Sequence, residues 1–204
     1  MRQHGFTIIE LLVGLLVAML CLLMMLMLFK QTTKIGVHAG QDAQYNTQIQ
    51  TGLLIAQKFI QNAGFGSSQP HDIQIVEEHP QVVYWRLVPE PHITPIRYEC
   101  QGMVERISDQ GTQKLHQLVL IGKPCGSNET WIEGQWQDQQ VLVNILSQQN
   151  TPIFHYRLNE GNCTPYGINQ KDHQGLKQLV IEARREHSDH VIKNLICLNN
   201  IVVS

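Results

Sequence analysis

The chain has 204 residues, a net charge of −2 and only 16% charged side chains, so no global basic field points to nucleic acid. Roughly 175 residues follow the first thirty, enough for one modest domain but not two large ones. Glutamine is abundant, and a surface covered by amides rather than charges suits a subunit packed among others.

The first element is apolar and long. From Phe6 to Phe29 the only ionisable side chain is Glu10, and from Leu11 to Phe29 every residue is apolar or Gly. At ~1.5 Å per residue this run makes roughly 36 Å of helix, enough to cross a ~30 Å hydrocarbon layer. A cleaved secretory signal is excluded, because the run is too long and Phe29-Lys30-Gln31 replaces the small-residue cleavage site. An ordinary membrane anchor leaves Glu10 unexplained, since a carboxylate near the start of a membrane helix is costly unless paired. A cut between Gly5 and Phe6 would supply the partner. It makes Phe6 a cationic N-terminus four residues from Glu10, on the same helix face. Such a pair is worth roughly 1 kcal/mol in water and several times that at low effective dielectric. An amine and a carboxylate at one end of an apolar rod suit assembly between subunits.

Gly5-Phe6-Thr7-Ile8-Ile9-Glu10-Leu11-Leu12 resembles the class III signal of type IV pilins and pseudopilins. The resemblance implies a leader of Met1 to Gly5, removed by a dedicated membrane aspartyl peptidase. It implies N-methylation of the new terminal Phe6 and an assembly role for Glu10. The apolar half of the helix holds Gly14 but no Pro, unlike many major pilins. Lys30 and Lys34 follow the span and Arg2 precedes it, so the positive-inside rule is nearly silent on orientation. The resemblance and the cysteines both put the C-terminal part outside the inner membrane.

Residues 30–66 continue the helix with a changed face. Tyr45, Ile49, Leu53, Ala56, Ile60 and Ala63 recur at helical spacing, an amphipathic stripe expected to pack under the chain's own domain. Gly36, Gly40 and Gly52 each cost up to ~1 kcal/mol in a helix interior, and the first two mark a softer joint. Gly64 is a natural left-handed cap. Gln61-Asn62-Ala63-Gly64-Phe65-Gly66 resembles the helix end of PilW-type minor pilins.

From residue 71 the period shifts toward β. Strands are expected at Ile73–Val76, Val82–Val88, Ile96–Cys100, Leu115–Ile121, Thr130–Gln135, Val141–Leu146, Ile153–Leu158, Leu176–Ala183 and Val191–Leu198. Loops are expected at residues 122–128 and 161–167. One long helix followed by strands argues an α+β fold, with a mostly antiparallel sheet in a head of residues 67–204 packed on the helix.

Cys21 lies in the apolar run and reads as a small hydrophobe. Cys100, Cys125, Cys163 and Cys197 form an even set expected to make two disulfides in an oxidising compartment. Of three connectivities, Cys100–Cys125 and Cys163–Cys197 close loops of similar modest length. No C-x-x-C or paired Cys/His spacing argues for metal. Glu186-His187-Ser188-Asp189-His190 reads as a polar hairpin turn rather than a metal site. Arg184-Arg185 is the only sharp basic spot, and nucleic acid is not expected from one doublet. Trp85, Trp131 and Trp136 read as core or interface aromatics. Asn128-Glu129-Thr130 matches a glycosylation sequon of no consequence in a bacterial envelope.

The expectation is therefore an assembly subunit and not an enzyme, with no cofactor or metal. The resemblance implies a single-pass inner-membrane protein with a periplasmic head, incorporated into a pilus or pseudopilus. It implies as partners other minor pilins, the major pilin, the prepilin peptidase and the inner-membrane assembly platform. It leaves open a tip position and an associated adhesin. The alternatives are a type II secretion pseudopilin and a tip adhesin or DNA-binding module.

Overall fold

The computed structural model describes residues 7–67, 69–127, 130–160, 163, 176–184 and 191–202. The chain forms two compact units, Met1–Asn46 and Thr47–Ser204. Helix α1, Ile8–Ile60, runs through both.

In the first unit, side chains from Thr7 to Gln44 are exposed. Just beyond the apolar run, Thr32 Oγ1 and Thr33 Oγ1 donate to the carbonyls of Leu28 (2.6 Å) and Phe29 (2.8 Å). Each hydroxyl is thereby satisfied within its own helix.

The second unit begins with the last turns of α1 and continues through eight strands. They are β1 Ile73–Val76, β2 Val82–Leu87, β3 Tyr98–Gln110, β4 Gln113–Cys125, β5 Gln137–Ser147, β6 Phe154–Glu160, β7 Leu176–Arg184 and β8 Val191–Val202. They make a five-stranded sheet in the order β1-β2-β3-β4-β5 and a three-stranded sheet β6-β7-β8. Every pairing is antiparallel, so the fold is α+β.

Opposed residues of antiparallel strands share a face. Val83 opposes Met103, Met103 opposes Leu120, and Leu118 opposes Val143. That face meets the helix stripe, whose Ile49, Leu53, Ala56, Ile60 and Ala63 are all buried. At Gly52 an added Cβ would lie 2.7 Å from Val143 Cγ1. The glycine that weakens the helix locally is what lets helix and sheet touch. The second sheet holds the helix by side-chain hooks. Asn194 Nδ2 donates to Leu53 O and Gln57 Oε1, both at 3.3 Å, and Asn200 Nδ2 donates to Gln61 O at 3.2 Å.

After Ile60 the chain tightens into turns through Ser67. Gly64 takes φ +75°, and its amide donates to Arg86 O at 2.9 Å. An added Cβ there would meet Ile201 Cγ1 at 2.6 Å, so conformation and space both demand glycine.

Three strand expectations need correction. Ile96–Cys100 begins at Tyr98 and runs on to Gln110, and Leu115–Ile121 starts at Gln113 and reaches Cys125. The loop expected at residues 122–128 is thus strand over residues 122–125. A tight turn at Gly111, φ +67°, joins β3 and β4 into a long hairpin. From Arg106 onward its β3 arm is exposed, so the apolar alternation that flags a strand is missing there. Thr130–Gln135 is not a strand. It folds as turns, with the Glu133 amide on Thr130 O at 3.0 Å, Trp136 Nε1 on Ile132 O at 2.8 Å and Gly134 at φ +110°. This segment covers the outer face of the first sheet. Trp136 packs beside Tyr84, ring centroids 4.6 Å apart, over Val82, Val104, Val119 and Ile121.

Two buried polar clusters tie distant segments together. Arg86 and Asp72, 3% and 0% exposed, form an ion pair. Arg86 also donates to Gln69 Oε1 at 3.0 Å and lies against the Tyr98 and Trp131 rings. Trp131, 2% exposed, is therefore a core aromatic. Glu105 and His116, 1% and 0% exposed, pair at 2.6 Å. Glu105 accepts the amides of Ile153 and Phe154 at 2.9 Å, and His116 Nε2 donates to Gln149 O at 3.0 Å. Gln81 Oε1 accepts the Tyr156 amide at 2.9 Å. These bonds cap the outer edge of β6 with side chains from the first sheet, where a ladder partner would otherwise sit. Disulfides join Cys100 to Cys125, Cα atoms 5.8 Å apart, and Cys163 to Cys197, 5.7 Å apart.

Candidate functional site: the N-terminal helix

Helix α1 opens with Thr7-Ile8-Ile9-Glu10, and the hydrogen bonds explain why it starts there. The Glu10 amide donates to Thr7 Oγ1 at 3.4 Å, while Glu10 Oε2 accepts the Thr7 amide at 3.0 Å and its hydroxyl at 3.2 Å. This is a capping box, with Thr7 as N-cap and Glu10 at the third helical position. The carboxylate also lies where the helix dipole favours negative charge. Glu10 thus carries a local duty before any subunit arrives. The T-x-x-E spacing signals it, and the sequence reading passed over Thr7.

Beyond Glu10 the helix offers only apolar surface. Leu11, Leu12, Leu15, Leu16 and Val17 are each at least half exposed, and so are Met24 to Phe29. A run of this helix has mean hydropathy 3.0, with length and composition sufficient to cross a membrane. Cys21, also exposed, is a free thiol on this surface. Gly5 and Phe6, the expected cleavage and methylation residues, lie outside the described residues. So does any contact of the Phe6 amine with Glu10.

Residues 1–26 match the model of the prokaryotic N-terminal methylation motif. The N-terminus is that of a type IV pilin-like protein. The matched segment spans the expected leader, Phe6, the Thr7–Glu10 box and most of the apolar run. The motif supports a type IV pilin-like or pseudopilin protein, and the apolar helix fits an inner-membrane anchor. No curated protein and no solved structure matches the chain.

The other sequence candidates sit elsewhere. Among the described residues no group of His, Cys, Asp and Glu is placed to hold a metal. The Glu186–His190 cluster, Arg185 and Asn128-Glu129 lie outside the described residues. Arg184 ends β7. Asp72–Arg86 and Glu105–His116 gave no signal in sequence, since their partners are 14 and 11 residues apart and only strand register brings them together.

Proposed function

We propose that this chain is a minor pilin of the PilW type, a subunit that primes type IV pilus assembly and not an enzyme. Processing after Gly5 and methylation of Phe6 mature it. The apolar helix holds it in the inner membrane, with the head in the periplasm, until it enters the filament. There it packs beside other minor pilins and the major pilin, at or near the tip. The observation that carries this reading is an exposed apolar helix with one carboxylate, Glu10, at its start, inside a methylation motif. Leaving lipid for a bundle of like helices keeps that surface covered throughout. It lets Glu10 pass from its own Thr7 to a neighbour's N-terminal amine. Residues 61–66, with their PilW-like sequence, support the subfamily.

The experiment is a clean deletion in the native host with pilus retraction disabled, counting sheared surface pili and assaying secretion of a type II exoprotein. Loss of pili with normal secretion is expected. Normal pili with lost secretion would make the chain a secretion pseudopilin.

A further inference from the structure

Helix α1 carries a charge at each end of its apolar run. Glu10 stands at the start and Lys30 directly after the last residue, Phe29, with no charged side chain between them. The twenty residue steps from Glu10 to Lys30 rise roughly 30 Å in an α-helix, which is the thickness of a bilayer's hydrocarbon layer. When Lys30 lies at one boundary of that layer, Glu10 lies at the other. Neither charge then sits among the lipid tails, where it would be costly.

Lys34 lies one turn beyond Lys30 in the same helix, so the two share a face. Both are exposed. Among the described residues neither makes an ion pair. The chain has no acid between Glu10 and Asp42, and Asp42 stands more than two turns past Lys34. The hydroxyls of this turn are already satisfied, since Thr32 and Thr33 donate back to Leu28 O and Phe29 O. Two ammonium groups are thus left on one face at the end of the apolar run, and their counter-charge lies outside the chain.

We infer that Lys30 and Lys34 bind the phosphates of anionic phospholipid headgroups on the head side of the bilayer, and so fix the depth of the helix before assembly. The spacing favours lipid over protein. It sets both ammonium groups in the headgroup layer, Lys34 about 6 Å further from the tails than Lys30. Lysine binds phosphate as a point charge, and its stem lies along apolar surface while the charged end reaches the headgroups. Entry into a filament then has to break both contacts, so the pair holds the chain in the membrane until subunits replace the lipid. The inference rests on the reading of the apolar helix as a membrane anchor and adds the lipid class and the residues that hold it.

The test uses the full chain in neutral detergent micelles, titrated with phosphatidylglycerol or phosphatidylcholine and read by native mass spectrometry. Phosphatidylglycerol should bind more tightly, by about fivefold for each lysine. The chain carrying both Lys30→Gln and Lys34→Gln should bind the two lipids alike. Lys58→Gln, at an exposed lysine in the head part of the helix, should keep the full preference. All three sites are exposed, so the variants keep their fold, checked by an unchanged melting temperature. Glycerol phosphate has the headgroup charge without the tails and should not displace the lipid. Its displacing phosphatidylglycerol at equal concentration would make this a site for free phosphate and overturn the inference. Equal binding of the two lipids by the wild-type chain, or a preference that survives the double substitution, would also overturn it. So would dimers in lipid-free micelles that the double substitution abolishes, because the counter-charge would then be a carboxylate of a second copy. Retention of the chain in membranes through alkaline carbonate extraction is read in parallel. Release by carbonate would sink the anchor reading, whereas firm retention without a lipid preference sinks the lysine inference alone.

Discussion

The Thr7 amide and hydroxyl both point at one oxygen of Glu10, at 3.0 and 3.2 Å. The carboxylate assigned to subunit pairing is therefore the same group that closes the first turn of its own helix. The two duties separate by substitution. Glutamine serves in a capping box as well as glutamate does but carries no charge. Glu10→Gln should keep the helix start and lose filament incorporation, as Glu10→Ala should. Thr7→Ala should weaken the cap and retain most incorporation. Quantifying the chain in sheared filaments against membranes checks this, and incorporation by Glu10→Gln at the wild-type level would leave capping as the whole role.

Gly52 makes a prediction opposite to helix propensity. Alanine is the better helix former, yet a Cβ here would lie 2.7 Å from Val143 Cγ1 and 3.0 Å from Val143 Cβ. Valine is stiff at χ1 and yields little. Gly52→Ala should destabilise the head by about 1–3 kcal/mol, the usual cost of overpacking. Gly36→Ala and Gly40→Ala, with nothing within 4 Å of the added carbon, should not. Thermal unfolding of the three variants in one detergent distinguishes them.

Asp72→Asn leaves the Arg86 guanidinium buried without its carboxylate. Removing one partner of a buried pair costs about 3–5 kcal/mol, and here both groups are nearly fully buried. Arg86 also binds the helix end through its carbonyl, so the loss should appear as cooperative unfolding of the whole head. A melting temperature equal to wild type would show that the other partners of Arg86 suffice without the carboxylate.

His155 sets a pH dependence whose sign follows from its burial and from Arg184. Its folded value is depressed below the unfolded value of about 6.5. The folded state thus binds this proton less readily than the unfolded chain. The contribution is fully present above the unfolded value and is lost as pH falls through the folded one. Melting temperature should drop between neutral and mildly acidic pH, and His155→Gln should reduce the drop. An identical drop in both proteins would remove His155 as its source.

The sequence carried the helix, its apolar half and the buried stripe from Ile49 to Ala63, because a 3.6-residue period survives without tertiary context. It carried the two disulfides, and loop length alone ranked their pairings. It did not carry the β3–β4 hairpin, whose exposed end lacks an apolar face, nor the turn over residues 130–135, where Trp131 and Ile132 imitate a strand. The Asp72–Arg86 and Glu105–His116 pairs depend on register between strands, which no local pattern encodes. Thr7 was legible from its spacing to Glu10, but beside a long apolar run the cost of a carboxylate in the membrane is the stronger signal and masks the cap.

The most direct measurement is mass spectrometry of the chain's N-terminal peptide from sheared surface filaments and from membranes of the same cells. A peptide beginning at N-methylated Phe6 is expected in both fractions of wild-type cells, and in membranes only when Glu10 is replaced by Gln. A chain that retains Met1–Gly5 in filaments, or a Glu10→Gln chain as abundant in filaments as wild type, would contradict it.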